Sequence, residues 1–189
     1  DALLVSRGLA ASRDRARALI AGRHVTVDGA VLTKPAKRLS SDADINVAVP
    51  DLPWVSRAAL KLVGGLDAFP AIDPAGRQCV DIGASTGGFT EVLLSRGAAH
   101  VAAVDVGHGQ LHPHLADDPR VSLREGMNAR HLSAADFETP PQLIVCDASF
   151  ISLTKVLPQA MKLAAENASL LALIKPQFEV GRAQIGKGG

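Results

Sequence analysis

The sequence predicts a mixed α/β protein in which a small α+β domain precedes a parallel sheet covered by helices on both faces. Beyond residue 77, five apolar runs lack period-two alternation and are separated by amphipathic stretches, a pattern typical of buried parallel strands. The first run leads into "GASTGG" at 83–88, a loop of small residues that opens a helix. A shorter block with a different rhythm and more positive charge comes before them.

The first block begins with two predicted helices. "DALLVSRGLA" is a short helix that ends at Gly8, and Ser12 is the expected N-cap of "RDRARALIAG", which ends at Gly22. Helical spacing places three residues of the second helix on one buried face, namely Ala16, Leu19 and Ile20.

Strands follow in the same block. "HVTVDGAVL" alternates around Asp28 and Gly29, which predicts a hairpin, and "ADINVAV" is one further strand. We expect a domain over 1–49, a stiff linker at 50–55 that contains "PDLPW", and a second domain over 56–189. The second domain begins with a helix over "VSRAALKLVGGLDAF".

The composition limits the classes of protein to which this chain can belong. Residues 1–50 hold eight Lys and Arg against five Asp and Glu, so any polyanion is expected to meet this block first. Cys79 and Cys146 adjoin apolar runs and are expected to be reduced packing residues. The longest apolar run is far below the roughly 20 residues of a membrane span, and no signal peptide opens the chain, so we expect a cytoplasmic protein. Both ends look cut, which indicates a fragment.

The apolar runs of the second domain are expected to meet at one edge of the sheet. In open α/β sheets, ligands bind outside the carboxyl ends of the strands, where the strand order reverses. The five runs are "CVDIG", "HVAAVDV", "RVSLREG", "QLIVCDAS" and "SLLALIKP".

The loop after the first strand is the expected ligand site. It contains no lysine, which excludes a phosphate-binding P-loop, and its glycine spacing does not reproduce the dinucleotide fingerprint. Asp81 supplies a carboxylate aimed at the loop, which suits a cationic amino-acid ligand. Asp105 ends the second strand, where a carboxylate accepts hydrogen bonds from ribose hydroxyls. These features favour S-adenosylmethionine over a nicotinamide dinucleotide, while a ligand-free tight turn stays open as the alternative.

Charged residues at two further strand ends point into the same crevice. Asp147 follows the fourth strand and Lys175 the fifth. Buried strand ends rarely carry unpaired charges, so the two form either a reactive pair or a structural ion pair. Lys61 lies on the helix after the linker, and its pattern alone indicates a solvated face.

At this point the sequence resembles a known family. "RAALKL", "DIGASTGGFTEVLL", "DVGHGQL", "CDASFISL" and "IKPQFEVGR" are similar to segments of the TlyA ribosomal RNA ribose methyltransferases, often named hemolysins, and more distantly to FtsJ-type methyltransferases. "SRDRARALIAGRHVTVDG" resembles a small RNA-binding domain that is shared with a ribosomal small-subunit protein, pseudouridine synthases and tyrosyl-tRNA synthetases. The resemblance implies a Rossmann-like S-adenosylmethionine methyltransferase sheet behind a small α+β RNA-binding domain.

The resemblance also implies residue roles. A Lys-Asp-Lys-Glu tetrad of the family corresponds to Lys61, Asp147 and Lys175, and its glutamate lies beyond the end of this chain, with the last strands of the sheet. Glu179 is too near Lys175 to replace that glutamate. The candidate cofactor-binding residues are Asp81, Gly83, Ala84, Ser85, Gly87, Gly88, Phe89, Asp105, Val106, Asn128 and Asp147. For Asn128, a loop-capping role is equally compatible with the pattern.

The implied reaction is in-line attack of a ribose 2′-hydroxyl on the methyl carbon of the cofactor, so that the O–C bond forms as the C–S bond breaks and the thioether leaves. A base must take the hydroxyl proton, and a lysine serves only when neutral, a form that desolvation and a second ammonium both favour. We assign Lys175 the position nearest the hydroxyl, with Asp147 orienting it. The implied substrates are cytidines in ribosomal RNA of both subunits.

Basic side chains of the first block are the expected contacts for RNA phosphates. The alternative is that these side chains only form a solvated helix face and do not contact RNA. With no tyrosine and few aromatic residues, recognition by shape and phosphates is favoured over base stacking. Trp54 either packs between domains or contacts RNA. The candidate RNA-binding residues are Arg13, Arg15, Arg17, Arg23, Lys34, Lys37, Arg38 and Arg57.

Other functions fit the sequence less well. His108, His112 and His114 lack a carboxylate or cysteine at metal-binding spacing, so we expect no metal. A non-catalytic RNA-binding protein is the main alternative, which tight cofactor binding would exclude. A membrane-lytic protein is the weakest, because no apolar span or strongly basic amphipathic helix is present.

Overall fold

The computed structural model describes residues 1–10, 12–40, 42–48 and 53–180. The chain divides into two compact units, Asp1–Pro53 and Trp54–Gly189. Residues 50–52 of the expected linker lie outside the described residues. Among the described residues, no helix is long and apolar enough to cross a bilayer.

The first unit packs two helices against a three-stranded antiparallel sheet. Helix α1 spans Ala2–Ser6 and helix α2 spans Arg13–Ala21. The strands, in the order β2-β1-β3, are β1 at Val25–Val27, β2 at Ala30–Val31 and β3 at Ile45–Val47. The hairpin turn falls at Asp28 and Gly29, both with positive φ, as a two-residue turn of this type requires.

Helix α2 begins where its capping residue predicts. The Ser12 Oγ accepts a hydrogen bond from the Arg15 N–H at 3.1 Å, and thereby satisfies one of the free N–H groups of the first turn. The buried face of α2 is Ala16, Leu19 and Ile20. This face packs with Leu4 and Val25 in the core of the first unit.

Removing this cap should destabilise the first unit. Because the variant Ser12→Ala leaves the Arg15 N–H without its side-chain acceptor, we expect the free energy of unfolding of this unit to fall by about 1 kcal/mol. The measurement is a urea titration followed by the NMR signals of α2. Ser6→Ala is the matched control, since the Ser6 hydroxyl only donates to the Leu3 carbonyl within α1. Equal effects of the two variants would contradict the capping role.

The second unit contains a five-stranded sheet in which every pair is parallel. The strand order is β6-β5-β4-β7-β8, so the order reverses between β5 and β7, on either side of β4. This confirms the predicted Rossmann-like arrangement. The strands are β4 at Gln78–Ile82, β5 at His100–Val104, β6 at Val121–Arg124, β7 at Leu143–Cys146 and β8 at Ser169–Ala172.

Helices cover both faces of this sheet, as the apolar runs predict. One face packs against α3 and α4 through residues such as Leu62, Val92 and Leu93. The other face packs against α6 through residues such as Val156 and Leu157. The helices are α3 at Ala59–Ala68, α4 at Gly88–Ser95, α5 at Pro113–Ala116, α6 at Leu153–Leu163 and α7 at Pro176–Glu179. Short 3₁₀ turns lie at Ala129–His131 and Ala134–Asp136.

Helix α3 is shorter than the sequence pattern predicts. The pattern over 55–69 is apolar at helical spacing, but the helix begins only at Ala59. The Val55 N–H instead donates to the Glu91 carboxylate at 2.6 Å, which holds the preceding segment in a non-helical path against α4.

Both cysteines are buried within the sheet as free thiols. Burial raises the pKa of Cys79 to about 12 and that of Cys146 to about 11. Both thiols therefore stay protonated at neutral pH and act as packing groups.

Candidate active site

The loop after β4 lies at the point where the strand order reverses. The Gly83 and Ala84 N–H groups both donate to the Val104 carbonyl, at 2.9 and 3.2 Å. Gly83 has φ +84, and a Cβ there would lie 3.1 Å from the Ala148 backbone. The loop therefore needs glycine at this position to pass close to the segment after β7.

The start of α4 makes a second close approach. A Cβ on Gly88 would collide with the Ser56 Oγ and lie 3.0 Å from the Ala59 nitrogen. The Ser56 Oγ is buried and has no hydrogen-bond partner among the described residues. Because an unsatisfied buried hydroxyl is costly, this oxygen marks a place where a polar ligand group fits. No sequence pattern predicts a role for Ser56, which lies only five residues before Lys61.

Two adjoining cavities open at this edge of the sheet. The first has a volume of about 530 Å³ and a mostly apolar lining, and the second a volume of about 330 Å³. Four residues line both cavities: Gly83, Ser85, Asp147 and Ser149. The first volume falls within the range of small-molecule sites.

Most of the predicted cofactor residues line one or both cavities. Those in the first cavity are Gly83, Ser85, Asp105, Val106, Asn128 and Asp147. Those in the second are Gly83, Ala84, Ser85, Gly88, Phe89 and Asp147. Gly87 lines neither and has φ +98, and a Cβ at this position would collide with the Leu115 side chain. Asn128 also has the capping role left open by its pattern, since its Oδ1 accepts from the Arg130 N–H at 3.1 Å.

Asp105 ties together the loops that frame the first cavity. Its Oδ2 accepts from the Ser85 N–H at 2.8 Å, and its Oδ1 accepts from the Gly107 N–H at 2.7 Å. A carboxylate has about four acceptor positions, so lone pairs remain on both oxygens for hydroxyls of a ligand. The placement fits the ribose-binding role that the sequence suggests.

Asp81 does not point into either cavity, and this corrects the expectation that its carboxylate is aimed at the loop. Strand alternation places Asp81 on the same face as Cys79, beneath α4, where it is fully buried and accepts a hydrogen bond from the Thr90 hydroxyl at 2.7 Å. Its Oδ1 is buried without a partner among the described residues. Desolvation raises the pKa of Asp81 to about 7.

The buried carboxyl of Asp81 should make stability fall as pH rises. Between about pH 4 and about pH 7 the folded chain holds a proton that the unfolded chain has lost, so folding stability declines by about 4 kcal/mol. The variant Asp81→Asn stays neutral and keeps an acceptor for Thr90. We expect urea unfolding at pH 5 and pH 8 to show a much smaller decline in the variant. The same decline in both proteins would rule out this role for Asp81.

The three predicted catalytic residues lie together in the second cavity. The Lys61 Nζ lies 3.0 Å from the Asp147 Oδ2, and the Lys175 Nζ lies 2.6 Å from the Asp147 Oδ1. The Lys61 side chain is 49% exposed, whereas those of Lys175 and Asp147 are 18% and 12% exposed. Two ammonium groups thus share one carboxylate, and the cluster carries a net positive charge at the cavity mouth.

Glu179 is engaged elsewhere. Its carboxylate accepts from the Leu153 N–H at 2.9 Å and from the Ser152 hydroxyl at 2.7 Å, and these hydrogen bonds lower its pKa. It therefore caps α6, and no glutamate joins the three charged residues in the lining of the second cavity within the described residues.

The basic residues of the first unit differ in their partners. Arg13 and Arg17 form ion pairs with the Asp1 carboxylate at 3.2 and 2.8 Å. A phosphate would compete with Asp1 for these two. The remaining predicted RNA-binding residues are exposed: Arg15, Arg23, Lys34, Lys37, Arg38 and, in the second unit, Arg57.

No histidine among the described residues lines either cavity. The rings of His112 and His114 are 4.6 Å apart, and the His114 Nε2 lies 3.4 Å from the Glu91 carboxylate. Across the described residues, no group of three or more His, Cys, Asp or Glu side chains is placed to hold a metal ion.

Phe150 is an exposed aromatic residue for which no sequence pattern predicts a role. Its side chain is 91% exposed at the rim of the first cavity, with its ring 5.2 Å from that of Phe178. It also has φ +64, a strained conformation for a bulky residue.

The fold and the charged cavity define a Rossmann-like methyltransferase, and family models agree. Residues 54–189 match the FtsJ-like methyltransferase family and residues 1–45 match the S4 domain. The chain belongs to the TlyA family of FtsJ-like methyltransferases that carry an S4 domain.

Individual relatives are similar along the whole chain. The 16S/23S rRNA (cytidine-2′-O)-methyltransferase TlyA of Mycobacterium tuberculosis is 53% identical over all of this chain and 70% of its own length. Hemolysin A of Brachyspira hyodysenteriae is 40% identical over all of this chain and 78% of its own length. A solved structure of a hemolysin-named protein from Streptococcus thermophilus is 38% identical, with a TM-score of 0.75 over 99% of this chain and 69% of that one.

Proposed function

We propose that this chain transfers a methyl group from S-adenosylmethionine to the ribose 2′-hydroxyl of cytidines in ribosomal RNA. The observation that carries the proposal is the Lys61-Asp147-Lys175 cluster beside a cofactor-sized cavity at the reversal of strand order. The relatives of this chain include 16S/23S and 23S rRNA (cytidine-2′-O)-methyltransferases, which supports this substrate class.

The two cavities match the two halves of the cofactor. The larger, apolar cavity suits the adenosine half, with the Asp105 carboxylate available to the ribose hydroxyls. The smaller cavity offers the unsatisfied Ser56 hydroxyl and the glycine loop to the polar amino-acid half. Asp81 holds the first turn of α4, which follows this loop, through its hydrogen bond with Thr90. S-adenosylmethionine supplies an electrophilic methyl group on a sulfonium.

The charged cluster handles the proton of the attacking hydroxyl. Lys175 in its neutral form takes the proton from the 2′-hydroxyl, which is a poor nucleophile while protonated. Asp147 balances part of the positive charge, and the more exposed Lys61 stabilises the negative charge that develops on the oxygen. Because the carboxylate pairs with both lysines, neither ammonium is left buried without a counter-ion.

Basic side chains and one exposed aromatic side chain bind the RNA. The exposed basic residues of the first unit and Arg57 contact phosphates. Phe150 presents a flat face at the rim of the first cavity, which suits stacking on an unpaired base. Since the sequence of residues 1–53 contains no Phe, Trp or Tyr, sequence-independent contacts dominate there.

The test is methyl transfer from labelled S-adenosylmethionine to isolated ribosomal subunits, followed by mapping of the modified ribose. We expect label at cytidine 2′-oxygens, and calorimetry with the cofactor alone should show binding. If the protein bound the cofactor but methylated neither subunit, the proposal that ribosomal RNA is its substrate would be refuted. Absence of cofactor binding with retained RNA binding would favour the non-catalytic alternative, and lysis of erythrocytes by the pure protein would favour the lytic one.

A further inference from the structure

The Lys175 ammonium contacts Ser149, a residue outside the Lys-Asp-Lys-Glu tetrad of the family. Its Nζ donates to the Ser149 Oγ at 2.8 Å and to the Asp147 carbonyl oxygen at 3.0 Å. The Asp147 Oδ1 is closer, at 2.6 Å, but the contact is not aligned as a hydrogen bond, and this oxygen has no hydrogen-bonding donor among the described residues. Among the described side chains, Ser149 therefore provides the directed acceptor for Lys175.

A lysine needs such an acceptor to hold one position. Its four-carbon stem has many rotamers and its ammonium is a compact charge without directional preference. Asp147 pairs with both lysines: its Oδ2 accepts a hydrogen bond from the Lys61 Nζ at 3.0 Å, whereas its Oδ1 contact with the Lys175 Nζ is not aligned as a hydrogen bond. The Ser149 hydroxyl and the Asp147 carbonyl oxygen are the two atoms that define where the Lys175 Nζ points.

Ser149 lies at the junction of the two cavities. It lines both cavities, together with Gly83, Ser85 and Asp147. The next residue, Phe150, has φ +64, a conformation that costs energy in a non-glycine residue and is typical of functional sites. This strained residue directly follows Ser149.

We infer that Ser149 is a positioning residue, whose hydroxyl holds the Lys175 amine at the junction of the two cavities in the geometry needed for proton transfer. The inference rests on the proposed function and adds a residue outside the Lys-Asp-Lys set. Proton transfer between poorly aligned groups is slow, so loss of the hydroxyl should lower the rate of transfer while cofactor binding is retained.

The first test examines the free protein and needs no activity. NMR of isotope-labelled lysine side chains reports how fast each ammonium exchanges protons with water. In Ser149→Ala, the Lys175 ammonium should exchange about tenfold faster, since one hydrogen bond to a charged group is lost. Ser149→Thr keeps the hydroxyl and should restore slow exchange. Ser95→Ala is the matched control, because the Ser95 hydroxyl donates to the Val92 carbonyl at the far end of α4.

The second test measures the rate of methyl transfer. Ser149→Thr keeps the hydroxyl and should retain the wild-type rate, whereas Ser149→Ala loses the hydrogen bond to the Lys175 Nζ. We expect kcat to fall about tenfold with an unchanged KM for the cofactor.

The two tests separate this inference from the proposed function. Unchanged Lys175 exchange in Ser149→Ala overturns the positioning role, whether or not the wild-type protein methylates RNA. Faster exchange with an unchanged kcat in an active enzyme also overturns it, because the hydroxyl would then have no part in the reaction. Absence of transfer by the wild-type protein refutes the proposed function, and the exchange measurement still decides the role of Ser149.

Discussion

Replacing Lys175 with methionine should abolish methyl transfer and leave cofactor binding intact. Methionine retains most of the length and apolar volume of the lysine stem but cannot accept or donate a proton at its end. Loss of a positioned acid or base lowers a rate by about 10²- to 10⁴-fold. We expect a fall in this range in single-turnover transfer to ribosomal subunits.

Lys175→Met is a cleaner test than a change at Asp147. Without Lys175, the Asp147 carboxylate still pairs with the Lys61 ammonium at 3.0 Å, so no buried charge is left without a counter-ion. An alanine at 147 would instead leave two ammonium groups facing each other, and the loss of activity would be confounded with instability.

Lys155→Met is the matched control for this experiment. Lys155 is an exposed residue near the start of α6, and it lies in neither cavity lining. We expect its transfer rate to match that of the wild type. If Lys175→Met retained more than about a tenth of the wild-type rate, Lys175 would not be the proton acceptor.

Local signals in the sequence predict much of the fold. The Ser12 cap, the Asp28-Gly29 turn and the five apolar runs each depend on residues close together in the chain, and the structure contains each of them. The prediction that helices cover both faces of the sheet is confirmed for the same reason, since buried parallel strands lack a polar face.

The site depends on contacts that local patterns do not contain. Lys61 and Asp147 are 86 residues apart, and the pattern of α3 alone indicates a solvated lysine. Its pairing follows only once the fold places α3 beside the carboxyl end of β7. The family resemblance therefore supplied what the spacing could not.

Asp81 shows the opposite case, in which a local pattern suggested the wrong direction. A carboxylate one residue before the end of a strand points to one face of the sheet or the other, and alternation sets it on the face of Cys79. Which helix covers that face is decided by the whole sheet. The side chain consequently meets Thr90 of α4 instead of the ligand cavities.

Replacing Asp105 with alanine should weaken binding of S-adenosylmethionine by more than about 100-fold, as expected for the loss of two hydrogen bonds to a charged group. The carboxylate also holds the Ser85 and Gly107 N–H groups, so its removal loosens two walls of the first cavity. Isothermal titration calorimetry measures the change. Glu125→Gln is the control, because Glu125 accepts from the nearby Gln110 N–H but lies in neither cavity lining.

A pair of simpler ligands separates the lost ribose contact from the loosened loops. 5′-Methylthioadenosine and its 2′-deoxy form differ only in one hydroxyl. If Asp105 binds the ribose, the wild-type protein should prefer the first ligand by about tenfold, the value of one hydrogen bond to a charged group, and Asp105→Ala should bind both alike. If the carboxylate only holds the loops, the preference should survive in the variant while both affinities fall. Equal affinities in the wild-type protein would place the 2′-hydroxyl of the cofactor away from Asp105.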